Sequence, residues 1–138
     1  MSQPAPQTTG IFISYRRRDT AYPAGWLYER LITKFGRAHV FKDVDSIRPG
    51  EDFVEVIRNS VLSCHTMLVL IGPDWRGVAR DTSPEEAGAP PDFVRLEVET
   101  ALANRLQVIP ILIEDAPMPK EDDLPSSIAA LSRRNAIT

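Results

Sequence analysis

One carboxylate of this 138-residue chain occupies a position that an aliphatic side chain would be expected to fill. Val94, Val98, Ala101 and Leu102 recur at the spacing of one helix face, and Glu97 falls on that same face. A glutamate there either extends past the core to water or to an arginine, or is held, partly desolvated, at the rim of a cleft, where catalytic carboxylates are enriched. Periodicity alone leaves both interpretations open.

Other candidate side chains in the chain have simpler explanations. Glu99 follows Arg95 by one helical turn, which predicts an ordinary solvated ion pair. The run Arg16-Arg17-Arg18 follows the first predicted strand, where it either binds phosphate oxygens through bidentate hydrogen bonds or forms a solvated loop. Trp26 and Trp75 are predicted to be packing residues.

Several classes of site are excluded by what the sequence lacks. Neither G-x-G-x-x-G nor G-x-x-x-x-G-K-[ST] occurs, so the dinucleotide and Walker phosphate loops are absent. Cys64 is the one cysteine, and with His39 and His65 it supplies too few ligands for a structural zinc site, so no metal site is predicted. Both histidines are given structural roles, with His65 at a helix end. A net charge of −3 without a basic block argues against nucleic acid and membrane surfaces as partners.

Alternating apolar runs and helical stripes predict a parallel sheet, since parallel strands need crossover connections. The fold class is therefore α/β, a flavodoxin-like open parallel sheet of about five strands with helices on both faces and a ligand crevice beyond the carboxyl ends of the strands. Pro110 conflicts with a central strand, because proline lacks a ladder donor. Strands are predicted at 11–15, 40–43, 67–71, 108–113 and 135–138, and helices at 20–35 (capped by Asp19 or Thr20), 53–61 and 93–106 (capped by Asp92).

One domain is predicted at 10–138, after a disordered leader at 1–9 that carries no signal or membrane segment. A doubly wound fold requires one more helix after its fifth strand. We therefore expect a fragment of a longer multidomain protein whose final helix is missing. Cysteine usage favours a cytoplasmic location.

Three short motifs follow one another along the chain: Phe12-Ile13-Ser14-Tyr15, Arg48-Pro49-Gly50 and Asp92-Phe93-Val94-Arg95-Leu96-Glu97. Together they resemble a bacterial TIR (Toll and interleukin receptor) domain over about residues 10–138. The family contains scaffolding adaptors and enzymes that cleave NAD, and the enzymes use a glutamate in the third helix. Glu97 matches that position, so the resemblance implies a catalytic role for it.

The same resemblance implies a substrate pocket and a gating loop. NAD is the substrate and no cofactor is required. Phe93 stands where many catalytic members have tryptophan, which leaves open the balance between hydrolysis and cyclisation. The pocket would be lined by Tyr15, Arg16, Arg17, Asp43, Phe53 and Phe93. The loop resembles the BB loop, which meets a neighbouring subunit, and consists of Asp45, Ser46, Ile47, Arg48, Pro49, Gly50, Glu51 and Asp52.

The function implied is an NAD glycohydrolase that yields nicotinamide and either ADP-ribose or cyclic ADP-ribose. Self-association through TIR contacts would activate the enzyme, and a regulatory or sensor module outside this chain would control that association. The family further implies a role in bacterial defence against phage. The alternative is a non-enzymatic interaction module, or a virulence-type mimic that binds host TIR adaptors.

Overall fold

The computed structural model describes residues 10–15, 17–42, 50, 52–73, 94–124 and 126–137, with the backbone alone for 17–21, 53 and 123. The predicted leader therefore lies outside the described residues. Within the described residues, no helix combines the length and the apolar composition needed to cross a membrane.

Within the described residues, four parallel strands form one sheet in the order β2-β1-β3-β4. Strand β1 pairs with β2 on one side and with β3 on the other, so the strand order reverses at β1. This confirms the predicted α/β class and places the expected crevice at the end of β1. The strands are β1 (Gly10–Ser14), β2 (Val40–Lys42), β3 (Cys64–Ile71) and β4 (Gln107–Leu112).

In the part of the chain that the structure describes, three α-helices flank the sheet: α1 (Arg17–Phe35), α2 (Phe53–Leu62) and α3 (Val94–Ala103). The α2 helix begins at Asp52, whose carboxylate accepts hydrogen bonds from the N–H groups of Val54 and Glu55 at 3.0 and 3.4 Å. The prediction that Asp19 or Thr20 caps α1 is wrong, because the helix already begins at Arg17. Arginine is a strong helix former, so the run after β1 continues into the helix.

Each face of the sheet has its own apolar core. Along β1 the side chains alternate, so that Phe12 packs in the core with α2 and α3 while Ile13 packs in the core with α1. Ser14 shares the phase of Phe12, and Tyr15 packs with the α1-side cluster. The end of β1 thus presents one side chain to each face.

The chain after β4 packs back against α3 and forms an isolated parallel bridge to β4. A 3-10 helix at Ser126–Arg133 buries Ile128 and Leu131, and Ile137 forms a parallel bridge with Ile111. The N–H of Ile137 donates to the Pro110 carbonyl at 2.9 Å. Of the fifth strand predicted at 135–138, the described residues form this single bridge.

Hydrogen-bond alternation also resolves the conflict at Pro110. The N–H of Ile113 donates to Ile71 of β3, whereas the N–H of Leu112 donates to Ile137 on the other side. Because successive N–H groups alternate along a strand, the nitrogen of Pro110 faces the Ile137 side. The missing donor therefore leaves the ladder between β3 and β4 intact.

Candidate active site

Glu97 lies in the first turn of α3 and is buried, with 6% of its surface exposed. Val94 and Val98 on the same stripe are also buried, so the predicted apolar face is confirmed. The interpretation in which Glu97 extends past the core to water is wrong. A carboxylate in the first turn is favoured by the helix dipole, which offsets part of the cost of its burial.

The hydroxyl of Ser14 donates a hydrogen bond to Oε1 of Glu97 at 2.9 Å. Ser14 is the last residue of β1 and is completely buried, and the two residues are 83 positions apart in the chain. The bond ties the carboxylate to the end of the central strand. Ser14 was missed as a site residue, although the phase of β1 places it, like Phe12, on the buried α2–α3 side.

A second polar group lies at the same edge of the sheet, on the α1 side. Lys42, the last residue of β2, has its ammonium 5.9 Å from the ring centroid of Tyr15 and 5.2 Å from that of Tyr28. Tyr15 and Glu97 therefore lie on opposite faces of the sheet at its carboxyl edge. Lys42 was also missed, and the available signal was its place at the end of a strand.

Four of the remaining predicted site residues lie among the described residues, and their roles in the site stay predictions. Gly50 has a φ of +90°, the left-handed region that favours glycine, and Asp52 is the cap of α2. Arg17 begins α1 and Phe53 begins α2, with only their backbones described. The positions outside the described residues are Arg16, Asp43, Asp45, Ser46, Ile47, Arg48, Pro49, Glu51 and Phe93.

Comparison with known proteins decides the family. A sequence model of the TIR domain matches residues 11–137. The chain belongs to the TIR domain family. It is similar to the TIR domains of the activated Roq1 resistosome that directly recognises the pathogen effector XopQ, with a TM-score of 0.56 and 19% identity over 91% of this chain and 69% of that chain. This likeness shows the fold.

A curated relative of the TIR domain is the NAD(+) hydrolase sarm1 of Drosophila melanogaster. The two are 25% identical over 131 residues, which is 95% of this chain. The chain spans about 9% of the length of that relative.

Glu99 provides a contrast with Glu97 on the same helix of the TIR domain. Its Oε1 lies 2.8 Å from Nε of Arg95, one turn earlier, and accepts a hydrogen bond from the Ser127 hydroxyl at 2.7 Å. Both partners of the ion pair are partly exposed. The predicted solvated pair is confirmed, and Glu99 serves as a matched control for Glu97.

Cys64 and His65 do not lie near Glu97. The prediction that His65 ends a helix is wrong, because the two residues begin β3 at the amino edge of the sheet, where His65 Nδ1 is 3.1 Å from the Gly10 carbonyl. Burial raises the pKa of the Cys64 thiol to about 11, so the reactive thiolate is disfavoured. Among the described residues, no cluster of three or more His, Cys, Asp or Glu side chains could hold a metal ion.

Trp26 was wrongly predicted to be a packing residue. It is 61% exposed on the outer surface of α1, and the guanidinium of Arg30 lies 4.6 Å from its ring centroid. Trp75 lies outside the described residues.

Proposed function

We propose that this TIR domain is an NAD glycohydrolase and that Glu97 is its catalytic residue. The observation that carries the proposal is the buried carboxylate of Glu97, held by Ser14 at the carboxyl end of β1. Ligands of open α/β sheets bind at this edge, where the strand order reverses. The similarity to an NAD(+) hydrolase supports the choice of substrate.

A single carboxylate suffices for this reaction. Glycosidases ordinarily need two carboxyl groups, one of which protonates the leaving group. The nicotinamide of NAD is already cationic and leaves as a neutral molecule, so no general acid is required. As the N-glycosidic bond breaks, positive charge develops on the ribose.

Glu97 stabilises that charge and accepts hydrogen bonds from the ribose hydroxyls. Its burial strengthens the electrostatic interaction, because the local dielectric is lower than that of water. Attack by water then gives ADP-ribose. Attack by the adenine of the same molecule gives cyclic ADP-ribose.

Positive charge at the same edge binds the pyrophosphate of NAD. Arg16 and Arg17 follow β1, and Lys42 ends β2 beside Tyr15. Guanidinium groups suit this role because they bind phosphate oxygens in a bidentate manner. Asp43, Phe53 and Phe93 complete the pocket in this proposal.

The enzyme is activated by self-association, in which the loop Asp45–Asp52 of one subunit completes the site of another. A regulatory module outside this chain controls that assembly, and the biological role is defence against phage. Support for assembly comes from the Roq1 TIR domains, whose fold this chain shares and which were described within a resistosome.

The test is NAD consumption, with products resolved by chromatography, at high protein concentration with a crowding agent. Glu97→Gln preserves shape and removes the charge, and we expect it to lower the rate by about 10²–10³-fold, the loss typical of a removed electrostatic stabiliser. Glu99→Gln removes a carboxylate from the same helix and should retain the wild-type rate.

Two results contradict the proposal. One is an assembled wild-type protein, verified by light scattering, that leaves NAD intact. The other is an equal loss of activity in the Glu97 and Glu99 variants. The first result favours the non-enzymatic interaction module.

A further inference from the structure

We infer that Ser14 is the positioning residue of the active site: its hydroxyl sets the orientation of the Glu97 carboxylate. This inference rests on the proposed NAD glycohydrolase function, and it assigns to Ser14 a kinetic role in addition to a structural one.

The donor of this hydrogen bond is rigidly placed. Ser14 ends a strand that is paired on both sides, and its backbone is in register with Val69 of β3. Its side chain is completely buried, so the hydroxyl has no exposed surface through which it could donate to bulk water instead. The 2.9 Å separation is ordinary for a hydroxyl donor and a carboxylate acceptor.

The acceptor needs such a restraint. A glutamate side chain has several rotatable bonds, so fixing it in one conformation costs conformational entropy. A side chain that is already ordered in the folded state does not lose this entropy again in each catalytic cycle. Catalytic groups must lie within about 0.5 Å of their productive geometry, and a displacement of about 1 Å can cost 10²-fold in rate. A fixed donor on Oε1 restrains the plane of the carboxylate.

Thr100 shows what a merely structural hydroxyl looks like on the same helix. It is as buried as Glu97, and its hydroxyl donates to the Leu96 carbonyl within α3 at 2.8 Å. That bond is local and involves no ionisable group. Ser14 instead reaches from the central strand to the acid.

The experiment compares Ser14→Ala, Ser14→Cys and the control Thr100→Val under the assembly conditions in which wild type cleaves NAD. For Ser14→Ala we expect kcat to fall by about 10–100-fold with KM within about threefold of wild type, because positioning acts on the transition state and not on substrate binding. Ser14→Cys keeps the size with a weaker donor and should be intermediate. Thr100→Val should keep the wild-type kcat.

A double-variant cycle separates positioning from general destabilisation. In the Glu97→Gln background, Ser14→Ala should cause no further loss of the residual rate, since its effect passes through the carboxylate. Thermal unfolding of each variant checks that the fold persists at the assay temperature, and Ser14→Cys replaces Ser14→Ala in the cycle if the latter unfolds.

Three outcomes overturn the inference. Ser14→Ala with the wild-type kcat does so, and so does an equal fold-loss in both backgrounds, or a loss expressed only in KM. If wild type is active and Glu97→Gln is not, any of these overturns the role of Ser14 and leaves the proposed function standing. An assembled wild type without activity overturns both.

Discussion

Helices α1 and α3 each carry a residue whose polarity does not match its surroundings: a buried charged side chain on α3 and an exposed aromatic one on α1. On α3 a carboxylate, Glu97, lies among buried apolar side chains, and on α1 an indole, Trp26, lies 61% exposed among charged ones. The two misfits differ in energetic meaning. An exposed aromatic ring costs little, since more than half of a protein surface is apolar, whereas burying a charge is expensive unless it is compensated.

The buried charge and the exposed ring also differ in the contacts that stabilise them. Glu97 has a fully buried donor from another element of the fold, whereas the exposed ring of Trp26 contacts Arg30, one turn away on its own helix. The first arrangement requires the tertiary structure, and the second requires only helical spacing. A buried charge that a fold maintains through a tertiary hydrogen bond therefore carries more functional information than an exposed ring.

The largest expected effect on stability comes from the buried face of α3. Val98 is fully buried, and Val98→Ala should lower the free energy of unfolding by about 2–3 kcal/mol, from lost apolar burial plus the cavity left behind. Denaturant unfolding measures it, through a lower midpoint at unchanged slope. Leu62→Ala, at a residue that is 45% exposed, is the control and should cost much less. An equal loss of unfolding free energy in Val98→Ala and Leu62→Ala would contradict the expectation that burial determines the cost of each substitution.

A smaller effect is expected when the charge itself is removed from the buried face. Glu97→Met should lower the free energy of unfolding by about 1–3 kcal/mol, because it leaves the buried Ser14 hydroxyl without this acceptor. In Ser14→Ala/Glu97→Met both partners are apolar, and the double variant should be at least as stable as wild type.

Chemical unfolding of wild type, both single variants and the double variant measures the coupling. A double variant less stable than either single one contradicts this account. The expected pattern would show that the pair is retained at a cost in stability, as is common for groups that serve function.

The same two helices show how much of the molecule the sequence could predict. The stripe of α3 was readable from spacing, and so was the burial of a carboxylate as one of two possibilities. The hydrogen-bond partner of Glu97 could not be predicted in this way. Ser14 lies 83 residues earlier in the chain, and the spacing of side chains along β1 does not indicate which helix packs against it. The parallel sheet followed from the alternation of elements, and its closing bridge at Ile137 was correctly anticipated.

The wrong predictions have two causes: reliance on residue type over position, and element ends that a local pattern does not define. Trp26 was assigned to packing because of its residue type, whereas the structure packs Ala24, Leu27 and Leu31 into the core on another face of α1. His65 was assigned to a helix end, but a single turn residue, Ser63, separates α2 from β3. The exact ends of helices and strands, to within one or two residues, depend on tertiary hydrogen bonds that a local sequence pattern does not contain.

The smallest expected effect belongs to the exposed misfit. Trp26→Ala should change the free energy of unfolding by no more than about 1 kcal/mol, because what is lost is an exposed cation–π contact with Arg30 and little buried area. Arg30→Ala removes the other partner and should have a similarly small effect, measured by the same denaturant titration. A loss above about 2 kcal/mol for Trp26→Ala would be the size expected of a core residue, and it would mean that the indole is covered in solution. The contrast between the two helices would then reduce to the charge on α3 alone.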